Sequence, residues 1–395
     1  MEILLQALTL QLGHNATLAT LGAGMFGLAA GASGAFLVLR KRSLVSDAMA
    51  HATLPGLALA FLIMAALGGD GRGLAGLMFG SAVSAALGLL AVDWLTRRTR
   101  LTEDAAIGAV LASFFGFGVV LMTVIQTLPF GHQAGLESFL IGSTAGMLRA
   151  DGLTILVGGA GALILTFLLR RPMTLVAFDP EYAAASGVKV RRIDLAMMAL
   201  AGGIMVVGLK IVGLVLAVAM LILPAAAARF WTDRVERVVW GAGLIGGASG
   251  FVGTALSAVA PRLPTGPMVV LTAAAIFFLS MILAPGRGAL AVWSARRGFG
   301  RKLRLRAGLL ALAEGRAPSA EALAALRRAG FASAAGEATE AGRKAAREAA
   351  EDESLWARAR EILPPEALTG RDDGATPLRA ALTPDEWSLV KGASA

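Results

Sequence analysis

The sequence predicts an all-α polytopic membrane helix bundle of eight to nine transmembrane helices, followed by a small soluble helical C-terminal domain. Three observations predict it. The 395 residues are 56% hydrophobic and 16% charged, with a mean hydropathy of +0.70, whereas soluble domains are roughly 45–50% apolar. Apolar runs of about twenty residues recur, enough at about 1.5 Å per residue to cross a hydrocarbon core of about 30 Å. Basic clusters (Arg40-Lys41-Arg42, Arg97 to Arg100, Arg170-Arg171) close alternate runs, as cytoplasmic flanks do.

In order, residues 1–17 form a short, mildly amphipathic outer segment. They lack a basic n-region, so no cleavable signal peptide is expected. Spans are expected at 18–39, 44–67, 74–95, 105–127 and 152–169. Residues 128–150 hold Pro129, His132 and Glu137 around an apolar fragment too short to cross, and read as a re-entrant or outer segment. A polar interval, 172–192, follows on the cytoplasmic side. Residues 193–230 are then apolar for 38 residues, broken only by Asp194, Lys210 and Arg229. One helix of that length would run about 57 Å, so it is read as two spans folded near Gly208–Gly213. Spans at 235–260 and 268–284 complete a transmembrane domain of 18–285. The predicted topology has the N-terminus outside and the C-terminus inside.

Beyond Pro285 the composition changes. Residues 296–395 carry 17 Lys/Arg and 14 Asp/Glu and no spanning run. Amphipathic helices are expected at 301–314, 320–328 and 337–351, with breakers at Pro364-Pro365 and 372–376. Residues 286–395 are read as a cytoplasmic domain.

The chemistry concentrates in residues 44–66. Asp47 and His51 lie four apart on an apolar helix, hence on one face. Ionisable residues inside a span face a bundle interior and mark an ion or substrate path. A carboxylate oxygen and an imidazole nitrogen suit Mn²⁺, Zn²⁺ or Fe²⁺, and a dimer would supply two copies of the pair. Pro55 has no N–H to offer the His51 carbonyl. On residue chemistry alone a second reading stands beside this one: His51 hydrogen-bonded to a neighbouring helix and Asp47 paired with an arginine. Residues 172–192 suit either a surface helix docking a cytoplasmic partner or an ordinary loop. His132 and Glu137 are candidates for an outer access path. There is no Cys, which excludes disulfide, iron–sulfur and thiolate sites. There is no GxxxxGK[ST] motif, so any energy from ATP has to come from another polypeptide. The chain is not expected to be an enzyme or to hold a resident cofactor.

These segments resemble the metal-type ABC permeases, the membrane subunits of manganese, zinc and iron importers. VLRKRSLVSDAMAHATLPGLALAFL (38–62) is similar to the family's signature segment. EDAAIG (103–108), LESFLIGS (136–143), FDPEYAAASGVKV (178–190) and VGLVLAVAMLILPAAAAR (212–229) match further segments in the family's order. The resemblance covers about residues 15–285. It implies a permease homodimer, or a pair with a related permease, in the bacterial inner membrane. It also implies a separate ABC ATP-binding subunit and an extracytoplasmic metal-binding protein as partners, with Mn, Zn or Fe as the transported ion. Asp47 and His51 fall on the family's intramembrane metal ligands. Phe178, Asp179, Pro180, Glu181, Ala185 and Gly187 fall on its ATPase-coupling region. ATEAGRKAAREAAEDESLW (338–356) resembles a segment of the iron- and manganese-dependent repressors, which implies a winged-helix-like domain. No Cys or His ligand remains in it and its charge is nearly balanced, so a structural or partner-docking role is preferred and nucleic acid is not an expected partner. The alternatives are a permease for an iron chelate or cobalamin, and a membrane-tethered regulator acting through the C-terminal domain.

Overall fold

The computed structural model describes residues 6, 9–11, 13–69, 71, 73–128, 149–208, 213–259 and 263–392. Contacts divide the chain into two compact units, Met1–Gly288 and Ala289–Ala395. The described secondary structure is helical, apart from one isolated antiparallel bridge, Ala332 to Ala338.

The first unit is a bundle of long helices: α1 (His14–Leu39), α2 (Ser43–Ala66), α3 (Leu74–Arg98), α4 (Glu103–Thr127), α5 (Arg149–Phe178), the short α6 (Pro180–Ala185), α7 (Val190–Gly208), α8 (Leu214–Trp231), α9 (Val235–Ser257) and α10 (Thr265–Leu283). Seven of them, all but α6, α7 and α8, are long and apolar enough to cross a membrane. The 38-residue apolar run divides into α7, ending at Gly208, and α8, whose cap Gly213 has φ +83°.

Small residues set how closely these helices pack. Without a hydrophobic driving force between spans, backbone proximity supplies the van der Waals contact. Gly27 of α1 and Gly246 of α9 face each other so closely that a Cβ on either would overlap the other's carbonyl oxygen. Gly56 of α2 and Gly80 of α3 repeat this arrangement. The bundle core runs through Phe26 and Phe36 of α1, Leu57 and Phe61 of α2, Met173 of α5, Ile204 and Met205 of α7 and Met220 of α8.

The interval expected between spans at 172–192 is much shorter. Helix α5 continues through Arg170, Arg171 and Pro172 to Phe178. Pro172 removes one backbone donor, but Met173 and Val176 beyond it are fully buried in the core, and that packing carries the helix on. Only residues 179–189 lie between α5 and α7, and α6 occupies most of them.

The second unit contains α11 (Ala289–Ala313), α12 (Ala320–Arg328), α13 (Glu340–Ile362), α14 (Pro365–Leu368), α15 (Leu378–Ala381) and α16 (Pro384–Gly392). Helix α11 begins well before the expected 301. Helix α13 begins after the expected 337 because Ser333 N–H donates to the Glu337 carbonyl (2.8 Å) and Thr339 N–H to that of Phe331 (3.0 Å), and the Thr339 hydroxyl then caps the helix at Gly342 N (3.1 Å). Trp356 is the largest side chain buried in this unit; its Nε1–H donates to the Thr376 carbonyl (3.2 Å). Arg306 bridges Asp352 (2.7 Å) and Glu353 (3.0 Å).

Candidate functional site

Helix α2 is continuous through Pro55, and it sets Asp47 and His51 one turn apart on the same face. Asp47 Oδ1 and His51 Nε2 are 3.6 Å apart. That is longer than a hydrogen bond. It is close to the edge of a metal tetrahedron: two donors each about 2.1 Å from an ion lie about 3.4 Å apart. The His51 side chain is 18% exposed and that of Asp47 43%. The His51 ring stands edge-on to Phe115 of α4, centroids 4.8 Å apart at 77°. Its Nδ1 is buried and has no hydrogen-bond partner among the described residues. Two residues on, the Thr53 hydroxyl donates to the Ala50 carbonyl (2.6 Å) and is satisfied within the helix.

The arginines nearest in sequence to Asp47 are engaged elsewhere. Arg42 pairs with Glu103 (2.9 Å) and Asp194 (3.3 Å), and Arg40 with Asp194 (3.2 Å). Asp194 is 6% exposed, so this carboxylate of α7 is buried between cations from the α1–α2 turn. Asp93 of α3 likewise takes Arg97 (2.6 Å) and Arg191 (2.8 Å). Arg42, Asp93, Arg97, Glu103 and Asp194 line one polar cavity of about 310 Å³. Of the two readings open from sequence, the arginine partner for Asp47 is therefore absent among the described residues. So is any group of three or more His, Asp or Glu able to hold a metal: the chain supplies two donors here, not a full set.

The coupling candidates fall on α6 and its flanks. The Asp179 carboxylate accepts from Tyr182 N–H (2.8 Å) and caps α6; Pro180 takes the first helical position, where no N–H is needed. Glu181 lies in the first turn and Ala185 is the last residue. Gly187, at φ +83°, ends the helix in a Schellman arrangement: its N–H donates to the Ala184 carbonyl (3.1 Å) and Val188 N–H to that of Ala183 (2.9 Å). Ala183 is buried, whereas Phe178 and Tyr182, four apart, are both exposed. Tyr182 was not singled out from the sequence, although it is the only tyrosine in the chain. His132 and Glu137 lie outside the described residues.

The chain matches the ABC 3 transport family over residues 14–284. The manganese transport system membrane protein MntC of Bacillus subtilis is 41% identical over 286 residues, which is 72% of this chain and 64% of that protein, so the chain spans somewhat less than two thirds of that relative's length. The zinc transport system membrane protein TroC of Treponema pallidum is 37% identical over 70% of this chain and 92% of its own. Among solved structures, "PsaBC from Streptococcus pneumoniae in complex with Fab" aligns with a TM-score of 0.63 and 28% identity, over 74% of this chain and 98% of that one. The family match takes in the bundle and the helix that carries Asp47 and His51, and the chain belongs to the ABC 3 transport family.

Proposed function

We propose that the chain is the membrane-spanning permease subunit of an importer for a divalent transition metal ion. Manganese and zinc are the leading cargoes, after the relatives' names, and iron stands beside them. The observation that carries the proposal is the Asp47–His51 pair, 3.6 Å apart on a spanning helix with an unpartnered ring nitrogen. A bare ion accepts such donors; a chelate with its coordination already filled has no use for them. Two protein donors are too few for a tetrahedral ion. A second copy of the permease, or a related one, brings two more across a shared axis, and the exposed side of Asp47 is where that partner's donors meet the ion.

In this reading, an extracytoplasmic binding protein delivers the ion and a separate ATP-binding subunit drives the helices between outward and inward arrangements. That subunit docks on α6, where Phe178 and Tyr182 present aromatic surface and Asp179, Pro180, Glu181, Ala185 and Gly187 hold the short helix in shape. The complex sits in the bacterial inner membrane, with Ala289–Ala395 on the cytoplasmic side in a structural or partner-docking role.

The test is competitive uptake of Mn²⁺, Zn²⁺ and Fe²⁺ by the complex reconstituted with its ATP-binding subunit. ATP-dependent accumulation of at least one free ion is expected. Accumulation of a chelated metal with no uptake of any free ion overturns the reading.

A further inference from the structure

A groove of about 400 Å³ lies between α1, α5 and α9 and shares no lining residue with the Asp47–His51 pair. Phe36, Leu163, Phe167 and Val239 make its walls apolar. Arg170, Arg171 and Thr174 line it further along α5. The Arg170 guanidinium lies 3.9 Å from the Phe167 ring centroid, a cation–π contact that holds the charge against the apolar wall.

Among the described residues, the two arginines carry charge that no carboxylate of this unit takes up, as several others at the helix ends do. Arg40, Arg42, Arg97, Arg191 and Arg287 all have carboxylate partners. Among the described residues neither Arg170 nor Arg171 has a side-chain ion pair or hydrogen bond. Glu236 also lines the groove, in the first turn of α9, and pairs with neither; two cations to one carboxylate leave the mouth net positive.

The groove's level in a membrane follows from its helices. From Gly152, where the apolar part of α5 begins, to Arg170 is a rise of about 27 Å, close to the full hydrocarbon thickness. Helix α1 reaches the groove at Ala32 and Phe36, near its end at Leu39, and α9 at Glu236, Val239 and Trp240, near its start at Val235. These helix ends share one face of the bundle, which Arg40, Lys41, Arg42, Arg229, Arg234 and Arg237 flank with positive charge. Trp240, exposed and 6.5 Å from the Phe167 ring, stands where aromatic side chains mark a headgroup boundary. Basic pockets between spanning helices on that side take anionic headgroups.

We infer that this groove binds an anionic phospholipid of the inner leaflet, its phosphate against Arg170 and Arg171 and an acyl chain along Phe36, Leu163, Phe167 and Val239. The proposal rests on the membrane-spanning fold and is independent of which ion is carried. Native mass spectrometry of the full-length permease in mild detergent, titrated with phosphatidylglycerol or with phosphatidylcholine of the same acyl chains, tests it. Phosphatidylglycerol should be retained preferentially, and the double variant R170Q/R171Q should lose that preference by roughly tenfold. Val239→Trp, which fills the groove and keeps both charges, should reduce retention of phosphatidylglycerol, whereas Arg98→Gln, outside the groove, should not. Equal retention of the two lipids, or an unchanged preference in R170Q/R171Q, overturns the proposal. So does a lipid-free dimer whose subunits close the groove.

Discussion

Two acidic groups on neighbouring helices are treated in opposite ways. Asp194 of α7 is buried and held by Arg40 and Arg42, with Glu103 extending the cluster. Asp47 of α2, five residues beyond Arg42, has only His51, at 3.6 Å. The charge of Asp194 is neutralised by protein and braces the helices; on the function proposed above, that of Asp47 is left for a passing cation. Burial alone would point the other way, because the braced carboxylate is the more deeply buried of the two.

The comparison breaks most readily at the braced end. Asp194→Ala leaves Arg40 without its partner and Arg42 with Glu103 alone, and should destabilise the bundle by about 3 kcal/mol, since removing one side of a buried ion pair strands the other. Thermal unfolding in detergent measures it, and an unshifted midpoint would show that the cluster does not brace the helices. Asp47→Asn, by contrast, should change stability by no more than about 0.5 kcal/mol. Next in size is Phe115→Ala. The edge-on ring fixes the His51 imidazole, and losing a contact of about 0.5–1.5 kcal/mol should lower metal uptake several-fold while leaving the amount of folded permease unchanged. Normal uptake would mean that Phe115 does not position the ligand.

The smallest effect lies in the second unit, at two solvent-accessible carboxylates. Backbone N–H groups of Ala375 and Thr376 hold the Asp373 carboxyl below the usual carboxylate value, and the Thr383 backbone and hydroxyl do the same for Glu386. Groups with depressed folded values add stability that is full above their unfolded pKa, near 4, and is lost as pH falls through the lower folded values. Proteolysis of the 289–395 region in the full-length chain should therefore be flat from neutral pH to about 5 and rise only below about 4. Increased cleavage already near pH 6 would contradict this assignment.

Much of the bundle is legible in the sequence because membrane crossing demands apolar length and positive flanks, both one-dimensional properties. The division of residues 193–230 was visible for the same reason: no single helix of that length fits the core. The continuation of α5 past Arg170-Arg171-Pro172 was not visible. Local signals there favour an ending, and only the burial of Met173 and Val176 outweighs them. At the site, the i,i+4 spacing of Asp47 and His51 was enough to bring them together. What sequence left open was whether an arginine claims Asp47. Its resolution depends on Asp194 and Glu103, distant in the chain, capturing Arg40 and Arg42 first. That Phe178 and Tyr182 are both exposed likewise goes with Ala183 and Val188 packing against the core.

The central claim is that the Asp47–His51 pair is kept free for a metal ion. Uptake of the preferred ion by membranes holding the assembled transporter, comparing wild type with Asp47→Asn and His51→Ala at matched levels of folded permease, tests it most directly. The account predicts that each substitution reduces uptake at least tenfold, while the unfolding midpoint and ATP hydrolysis by the partner subunit survive. Uptake at the wild-type rate in either variant would contradict it.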